Sequence, residues 1–465
     1  MICASIMSGS IGGMLSRARA AAARGAEAVE FRIDSLESPT LDGVLSLKAA
    51  DMVSIATFKG DSLSLLSGGA EEIFGTFDYV DIGLDDEGTL PLTDGMRQKL
   101  ILSYHGDVQS EDEADRLIRS ALGRCSIVKC INTSAGYSRA RLPFMAARAF
   151  SPGRVTAFST GESGTLSRVA SMKHAAPIAY SSLSQADATA PGQLTIEEMQ
   201  AALDGIVLGI AGSREAAEHS LSPAIQGMML EEAGLRGLYL RFPVEEGGLP
   251  GFFESASDAG ALGFNVTMPY KEQALSLASG ADSVSGAVGA ANTLVREGSG
   301  FRAYNTDAEA AYQIVRERRP GTALILGSGG AARAAAHALR GADVVIASRN
   351  RQKGFLLARE FGMGEFDASR TRFDMIVNCT PAGMEGRPFE LPPALRGIRA
   401  GTVVDFVYSN SETPFGRLAE EWSADYVGGL EILARQAVLS FRLWTGVEFG
   451  YGDLMRHLGA AANGR

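Results

Sequence analysis

The chain has little of what marks several protein classes. Its four cysteines, Cys3, Cys125, Cys130 and Cys379, are scattered with no C-x-x-C pair, so neither a zinc knuckle nor a disulfide framework is implied. No apolar run approaches the ~20 residues that a membrane span requires. Positive charge is outnumbered: a formal net charge of −11 argues against non-specific nucleic-acid binding while leaving room for local basic pockets that hold small anions. The opening MICASIM has no basic residue ahead of its apolar stretch and is too short for a signal peptide's hydrophobic region, so it reads as a first buried strand. No internal repeat or low-complexity linker is evident. The expectation is a soluble, cytoplasmic protein acting on small molecules.

What is present is enough chain for two or three cores. At 465 residues the sequence exceeds the ~250 to 300 beyond which one core stops growing. Through residue 200, eight short β-rich runs alternate with helical stretches: MICASI, AVEFRID, MVSIATF, YVDIGL, KLILSYH, CSIVKCI, RVTAFST and PIAYSS. That is the strand count of a closed parallel (β/α)8 barrel, with short loops. Ser110 and Thr195 stand as helix caps, the latter with Glu198 at capping-box spacing, and the barrel ends near 203 to 206. A second unit runs from VLGIAG at 207 to about 312, with strands at GLYLRFPV, GFNVTMP and NTLVREG. A third contains LILGSGGAAR, FDMIVNCTP, GTVVDFVY and DYVGGL, alternating strand and helix as in an open doubly wound sheet. The amphipathic EILARQAVLSFRLWTGV is expected to pack back on the second unit. The division is therefore 1–203 for the barrel, 206–312 completed by 431–465 for a substrate lobe, and 313–430 for a dinucleotide lobe.

In LILGSGGAAR, Gly327 permits a tight turn, Gly329 lets the backbone approach a pyrophosphate, and Ala332 packs helix on strand. The following strand end, VVIASRNRQK, lacks the acid that would hold the ribose hydroxyls of NAD and offers Arg349, Arg351 and Lys353, which suit the 2′-phosphate of NADP.

The lysine in the apolar strand CSIVKCI raises a different chemistry. In a parallel barrel both faces of a strand are covered, so an inward Lys129 should lose solvation, fall in pKa and become a nucleophile able to form a Schiff base.

EHSLSP, NVTMPYKE, GAANTL and YNTDAE, in that order and followed by NCTPAGM, VVDFVY and GGLEILARQAVLSFRLWTG, resemble the shikimate dehydrogenase family across roughly 206 to 465. The resemblance implies that Ser220, Ser222, Thr267, Asn292, Tyr408 and Gln436 hold the substrate and that Lys271 and Asp307 form the catalytic pair. It places Gly327, Ser328, Gly329, Gly330, Ala331, Ser348, Arg349, Lys353, Thr380, Phe406 and Gly429 around NADP. Gln226, Gly227, Ala303 and Asn410 depart from the family pattern, and Ser222 points to shikimate rather than quinate.

AVEFRIDSLE, LSYHGD, VKC, TLSR and ATAPGQL resemble the type I 3-dehydroquinate dehydratases across residues 1 to about 203. By that resemblance Lys129 is the Schiff-base lysine, His105 the general acid and base, and Ser5, Glu30, Arg32, Lys59, Arg168, Thr189 and Gln193 bind substrate, with Arg168 facing its carboxylate. Lys59 stands where the family has arginine, Gly83 where it has glutamate, and SGG at 67–69 where it has EGG, so the carboxylate that partners the histidine is not evident. Together the halves imply consecutive steps of the shikimate pathway: dehydration of 3-dehydroquinate, then NADPH-dependent reduction of 3-dehydroshikimate. The alternatives are a barrel that only senses or scaffolds, and a quinate dehydrogenase in the second half. The sequence leaves a homodimer open and calls for no metal.

Overall fold

The computed structural model describes all residues except 48–51, 134–135, 385–394, 408–411 and 464–465, and the side chains of 459–463. Its contacts divide the chain into two compact units, Met1–Leu208 with Leu235–Ala261, and Gly209–Gly234 with Leu262–Arg465. No helix among the described residues is long and apolar enough to cross a membrane.

The first unit is built on eight strands: β1 (Ile2–Ile6), β2 (Ala28–Arg32), β3 (Val53–Thr57), β4 (Tyr79–Gly83), β5 (Leu100–Gly106), β6 (Ile127–Asn132), β7 (Val155–Ser159) and β8 (Ala179–Ser181). They are bonded in the order β7-β6-β5-β4-β3-β2-β1-β8, all parallel, a nearly closed barrel. Each of the eight runs expected from the sequence forms one of these strands. The expected caps form as well: Ser110 Oγ accepts from the Glu113 amide at 3.2 Å, and Thr195 and Glu198 close a reciprocal capping box ahead of helix Ile196–Asp204.

Side-chain alternation sorts the barrel's interior into levels. Cys3, Ala28, Ile55, Ile101, Ile127, Ile131, Phe158, Ile178 and Tyr180 form one apolar cluster. Two residues further along five of these strands stand Ser5, Glu30, Thr57, Ser103 and Lys129, and Asp81 follows Tyr79 in the same way on β4, all buried. Apolar side chains thus flank a polar layer. This unit also takes in β10 (Gly237–Pro243) and the helix Leu249–Asp258 from later in the chain.

β9 (Ile206–Gly212), which spans the boundary between the units, and β11 (Gly263–Val266), β12 (Gly280–Ala281), β13 (Thr293–Glu297) and β14 (Gly300–Tyr304) of the second unit are five strands of a six-stranded mixed sheet, in the order β9-β11-β13-β14-β12. The hairpin partner β14 was not anticipated, because the polar segment that follows it dominates the local pattern. The other sheet contains β15 (Thr322–Leu326), β16 (Asp343–Ala347), β17 (Gly364–Glu365), β18 (Arg372–Asn378), β19 (Arg399–Asp405) and β20 (Asp425–Val427), all parallel in the order β17-β16-β15-β18-β19-β20. Counted from β15 this is 3-2-1-4-5-6, the order of dinucleotide-binding folds, whose ligands bind at the strand carboxyl ends beside the first strand. Helix Gly429–Thr445 packs on the mixed sheet's side of the unit, its Trp444 indole donating to the Leu294 carbonyl at 2.9 Å.

Candidate active sites

The barrel's polar layer centres on Lys129. Its ammonium donates to Glu30 Oε1 at 3.0 Å and Asp81 Oδ2 at 2.9 Å, and lies 3.9 Å from the centre of the Tyr180 ring. Glu30 also accepts from Ser5 Oγ at 2.7 Å and Thr57 Oγ1 at 2.9 Å, while Ser103 Oγ donates to Asp81. The register explains the gathering, since Ser5 pairs with Glu30, Thr57 with Asp81, and Ser103 with Lys129 across neighbouring strands.

The expectation that burial lowers the Lys129 pKa is corrected by this geometry. Desolvation does push it down, but the carboxylates of Asp81 and Glu30 outweigh desolvation and hold it above the ordinary lysine value. The reciprocal effect appears on Glu30: burial alone would raise it, yet Lys129 and then Arg32 keep it below the usual carboxylate range. The resting site therefore favours a cation at this nitrogen. Asp81 was missed in the sequence, although a carboxylate inside the apolar YVDIGL is the same signal that singled out Lys129. Thr57 and Ser103 gave no signal, because hydroxyls are common in strands.

One level closer to the mouth come Arg32, Lys59, Gly83 and His105. Arg32 is committed to Asp34 through Nε at 2.9 Å and Nη2 at 2.6 Å. Lys59, half-buried, is lowered by desolvation and then by Lys129 and Arg32. His105 is exposed, and desolvation followed by Lys129 and Lys59 holds its imidazole below the ordinary value. No carboxylate among the described residues is hydrogen-bonded to it. At Gly83, a side chain would meet Asp86 Oδ2, whose carboxylate fills the space beside the glycine.

Arg168, in the first turn of helix Thr165–Lys173, is 4% exposed and stacks 4.3 Å from the Phe158 ring centre. Its Nε has no hydrogen-bond partner, and desolvation lowers its pKa to about 9, leaving the guanidinium charged at neutral pH. A buried guanidinium N–H without a partner is costly unless a ligand anion completes it. Nearby in sequence, Gln193 Oε1 accepts from the Thr189 amide at 2.7 Å and from Thr189 Oγ1 at 3.1 Å, tying down the loop that follows β8.

In the second unit Lys271 Nζ donates to Asp307 Oδ2 at 2.6 Å, with side chains 17% and 11% exposed. Lys271 opens helix Lys271–Leu277, and Asp307 lies in the first turn of helix Thr306–Arg318, capped by Asn305. Around them runs a buried network from four segments. Asn292 Nδ2 donates to Thr306 Oγ1 at 3.0 Å, Thr306 Oγ1 approaches Gln436 Oε1 at 3.4 Å, and Ser440 Oγ lies within 3.1 Å of Asn265, Thr293 and Thr306. Asn265, Thr293, Thr306 and Ser440 were not singled out in the sequence, since the meeting of separate turns leaves no periodic signal. Ser220 and Ser222 are buried side by side, the Ser222 amide donating to Ser220 Oγ at 3.1 Å. Thr267 follows β11 with its amide bonded to the Ala211 carbonyl at 2.9 Å. Tyr408 and Asn410 lie outside the described residues.

The glycine turn fits a dinucleotide. Gly327 has φ +120°, and a Cβ there would come within 3.0 Å of the Cys379 carbonyl. Gly329 caps helix Gly330–Ala338 with nothing within 4 Å of where its Cβ would be, leaving open space for a phosphate at free helix amides. A Cβ on Gly330 would lie 3.1 Å from Lys271 Cδ, so the turn adjoins the lysine–aspartate pair. Ser328 and Ser348 meet through their hydroxyls at 2.9 Å, and Thr380 is held by Asn378 at 2.7 Å. The Phe406 amide donates to the Asn378 carbonyl at 3.0 Å, and Gly429 opens the last long helix. Arg349, Arg351 and Lys353 are exposed, and no carboxylate among the described residues pairs with them. Removing Arg349 (Arg349→Ala) is expected to weaken NADPH binding about tenfold while leaving NADH unchanged, as measured by KM for each, because only the former carries a phosphate for the guanidinium.

The geometry defines an α/β unit with the strand order and glycine turn of dinucleotide-binding folds and, in the same chain, a parallel barrel that encloses a lysine. A family model described as type I 3-dehydroquinase matches residues 2–207, and one described as shikimate dehydrogenase substrate binding domain matches 214–294. The chain is 41% identical over 248 residues to a shikimate dehydrogenase (NADP(+)) of Anaeromyxobacter sp., covering 49% of this chain and 87% of that protein. With the Aeropyrum pernix shikimate dehydrogenase (NADP(+)) it shares 40% over 247 residues, 49% of this chain and 88% of that one. The crystal structure of Thermus thermophilus shikimate 5-dehydrogenase in complex with NADP(H) and shikimate matches at TM-score 0.50 and 33% identity, over 54% of this chain and 97% of that one. The chain belongs to the shikimate dehydrogenase family and carries a type I 3-dehydroquinase domain ahead of the dehydrogenase.

Proposed function

We propose that the chain is a bifunctional enzyme that dehydrates 3-dehydroquinate to 3-dehydroshikimate in its barrel and reduces the product to shikimate with NADPH in its second half, in the cytoplasm. The functional division we assign is 1–203, 206–312 with 431–465, and 313–430. The observation that carries the reading is the ammonium of Lys129 enclosed between Glu30 and Asp81 inside the barrel.

A site that stabilises a cation at this nitrogen also stabilises an iminium there. Neutral Lys129 attacks the substrate ketone and expels water, giving a protonated imine. His105, neutral at physiological pH, removes the adjacent proton, and the electron pair flows to the imine nitrogen. The β-hydroxyl then leaves as water with a proton returned by His105, and hydrolysis frees the enone and the lysine. Arg168 holds the substrate carboxylate, while Ser5, Arg32, Lys59, Thr189 and Gln193 surround its hydroxyls.

In the second half Lys271 gives a proton to the ketone oxygen as it becomes a hydroxyl, and Asp307 orients the ammonium. Ser220, Ser222, Thr267, Asn292, Tyr408 and Gln436 hold the ring, and the paired serines favour shikimate over quinate. Gly327, Ser328, Gly329, Gly330, Ala331, Ser348, Arg349, Lys353, Thr380, Phe406 and Gly429 hold NADPH, which supplies the hydride.

Borohydride reduction with 3-dehydroquinate tests the first half. A stable mass increase at Lys129 is expected, and trapping should accelerate with rising pH because the raised pKa keeps most of the amine protonated near neutrality. Absence of any adduct, with reductase turnover intact, would overturn the dehydratase reading.

A further inference from the structure

Residues 235–261 lie within the stretch that matches the dehydrogenase substrate-binding family, yet they pack in the same compact unit as the barrel. Helix Leu249–Asp258 grips the connection that leaves β6, the strand carrying Lys129. Arg141 donates through Nε to Asp258 Oδ2 at 2.6 Å and also pairs with Glu254. Phe252, fully buried, stands edge-on to the buried Tyr137 at 5.2 Å between ring centres, and Ser255 Oγ donates to the Tyr137 carbonyl at 3.3 Å. Gly251 lies so near Ser138 that an added Cβ would stand 2.6 Å from its backbone nitrogen.

The same connection reaches both catalytic strands from its other side. Asn132, the last residue of β6, donates through Nδ2 to the Arg139 carbonyl at 2.9 Å and accepts from the Val108 amide at 2.9 Å, just past the β5 strand that carries His105. Ser159, at the end of β7, donates to the Ala140 carbonyl at 2.8 Å. An unbroken run of contacts therefore leads from Asp258 through Arg141, the 139–140 backbone and Asn132 to the ends of β5 and β6.

We infer that Arg141 is a positioning residue for the dehydratase: helix Leu249–Asp258, taken from the dehydrogenase's portion of the sequence, sets the His105 and Lys129 strand ends through it, so dehydration depends on a segment outside the barrel's own sequence. The inference rests on the dehydratase reading above. Ion pairs as enclosed as Arg141–Asp258, with side chains 19% and 15% exposed, hold geometry better than solvated ones.

The test uses the full chain. Arg141→Ala is expected to lower dehydratase kcat about fivefold or more with little change in KM, the size expected when a coupling contact is cut. Reductase turnover should stay at the wild-type level, and the acid limb of the dehydratase pH profile should shift as His105 loosens. The exchange Arg141→Asp with Asp258→Arg should restore kcat above that of Arg141→Asp alone, which a general loss of stability would not do. If Arg141→Ala does not fold, Arg141→Lys, which keeps charge but loses the two-pronged geometry, is read on the same axes. Unchanged dehydratase kcat and pH profile in a folded variant, or no rescue by the exchange, overturns the inference. A wild-type chain without dehydratase activity would instead overturn the reading on which it rests.

Discussion

Replacing Lys129 by methionine is expected to lower dehydratase kcat by at least about 10⁴-fold, since in the proposed mechanism its amine forms the bond to the substrate carbon. Reductase turnover should be untouched, because Lys271 and Asp307 belong to the other compact unit. The same change has a second signature. It strands Glu30 and Asp81, 3% and 0% exposed, without the cation that both face, and breaking a buried ion pair costs about 3 to 5 kcal/mol. The pH dependence of that loss has a definite sign. In the native chain Glu30 is held below its ordinary value, so its contribution to stability is present above the unfolded carboxylate pKa and is lost as pH falls through the depressed folded one. Without Lys129, desolvation dominates and the folded pKa rises above the unfolded value. Protonation then relieves the strain, and the stability deficit of Lys129→Met should shrink between pH 8 and pH 5 in chemical denaturation. A deficit that is constant or grows towards acid would show that the carboxylates do not depend on this lysine.

Lys271→Ala should lower reductase kcat about 10²- to 10⁴-fold, the range for loss of a positioned proton donor, while dehydration proceeds at the wild-type rate. Asp307→Asn keeps the volume and a hydrogen bond but removes the charge 2.6 Å from the ammonium, and its expected loss is smaller. The check is steady-state turnover of each activity in the same preparation. A parallel fall in both would show that the two activities share a site.

Much of this was readable along the chain. A barrel covered on both faces has no neutral place for a charge, so Lys129 in an apolar strand announced itself, and the same rule, applied to YVDIGL, finds Asp81. The glycine turn and the basic residues after β16 were also local patterns, because phosphate binding demands particular backbone conformations within a few residues of each other. Period-2 alternation told which residues face the barrel interior, but not which share a level.

That last property belongs to strand register, which the sequence does not display. Register sets Glu30 and Asp81 beside Lys129 and so reverses the pKa expected from burial alone, since Coulomb attraction at 3 Å in a poorly screened interior outweighs desolvation. The network of Asn265, Asn292, Thr293, Thr306, Gln436 and Ser440 likewise joins segments up to 175 residues apart. Helix Leu249–Asp258 reads as part of one catalytic half and packs with the other. The sequence by itself determined the barrel's strand count, the lysine inside it and the glycine turn, because these are consequences of local periodicity and residue chemistry. Tertiary structure alone decided the charge states, the shared levels and the packing partners, because they depend on distances between residues remote in the chain.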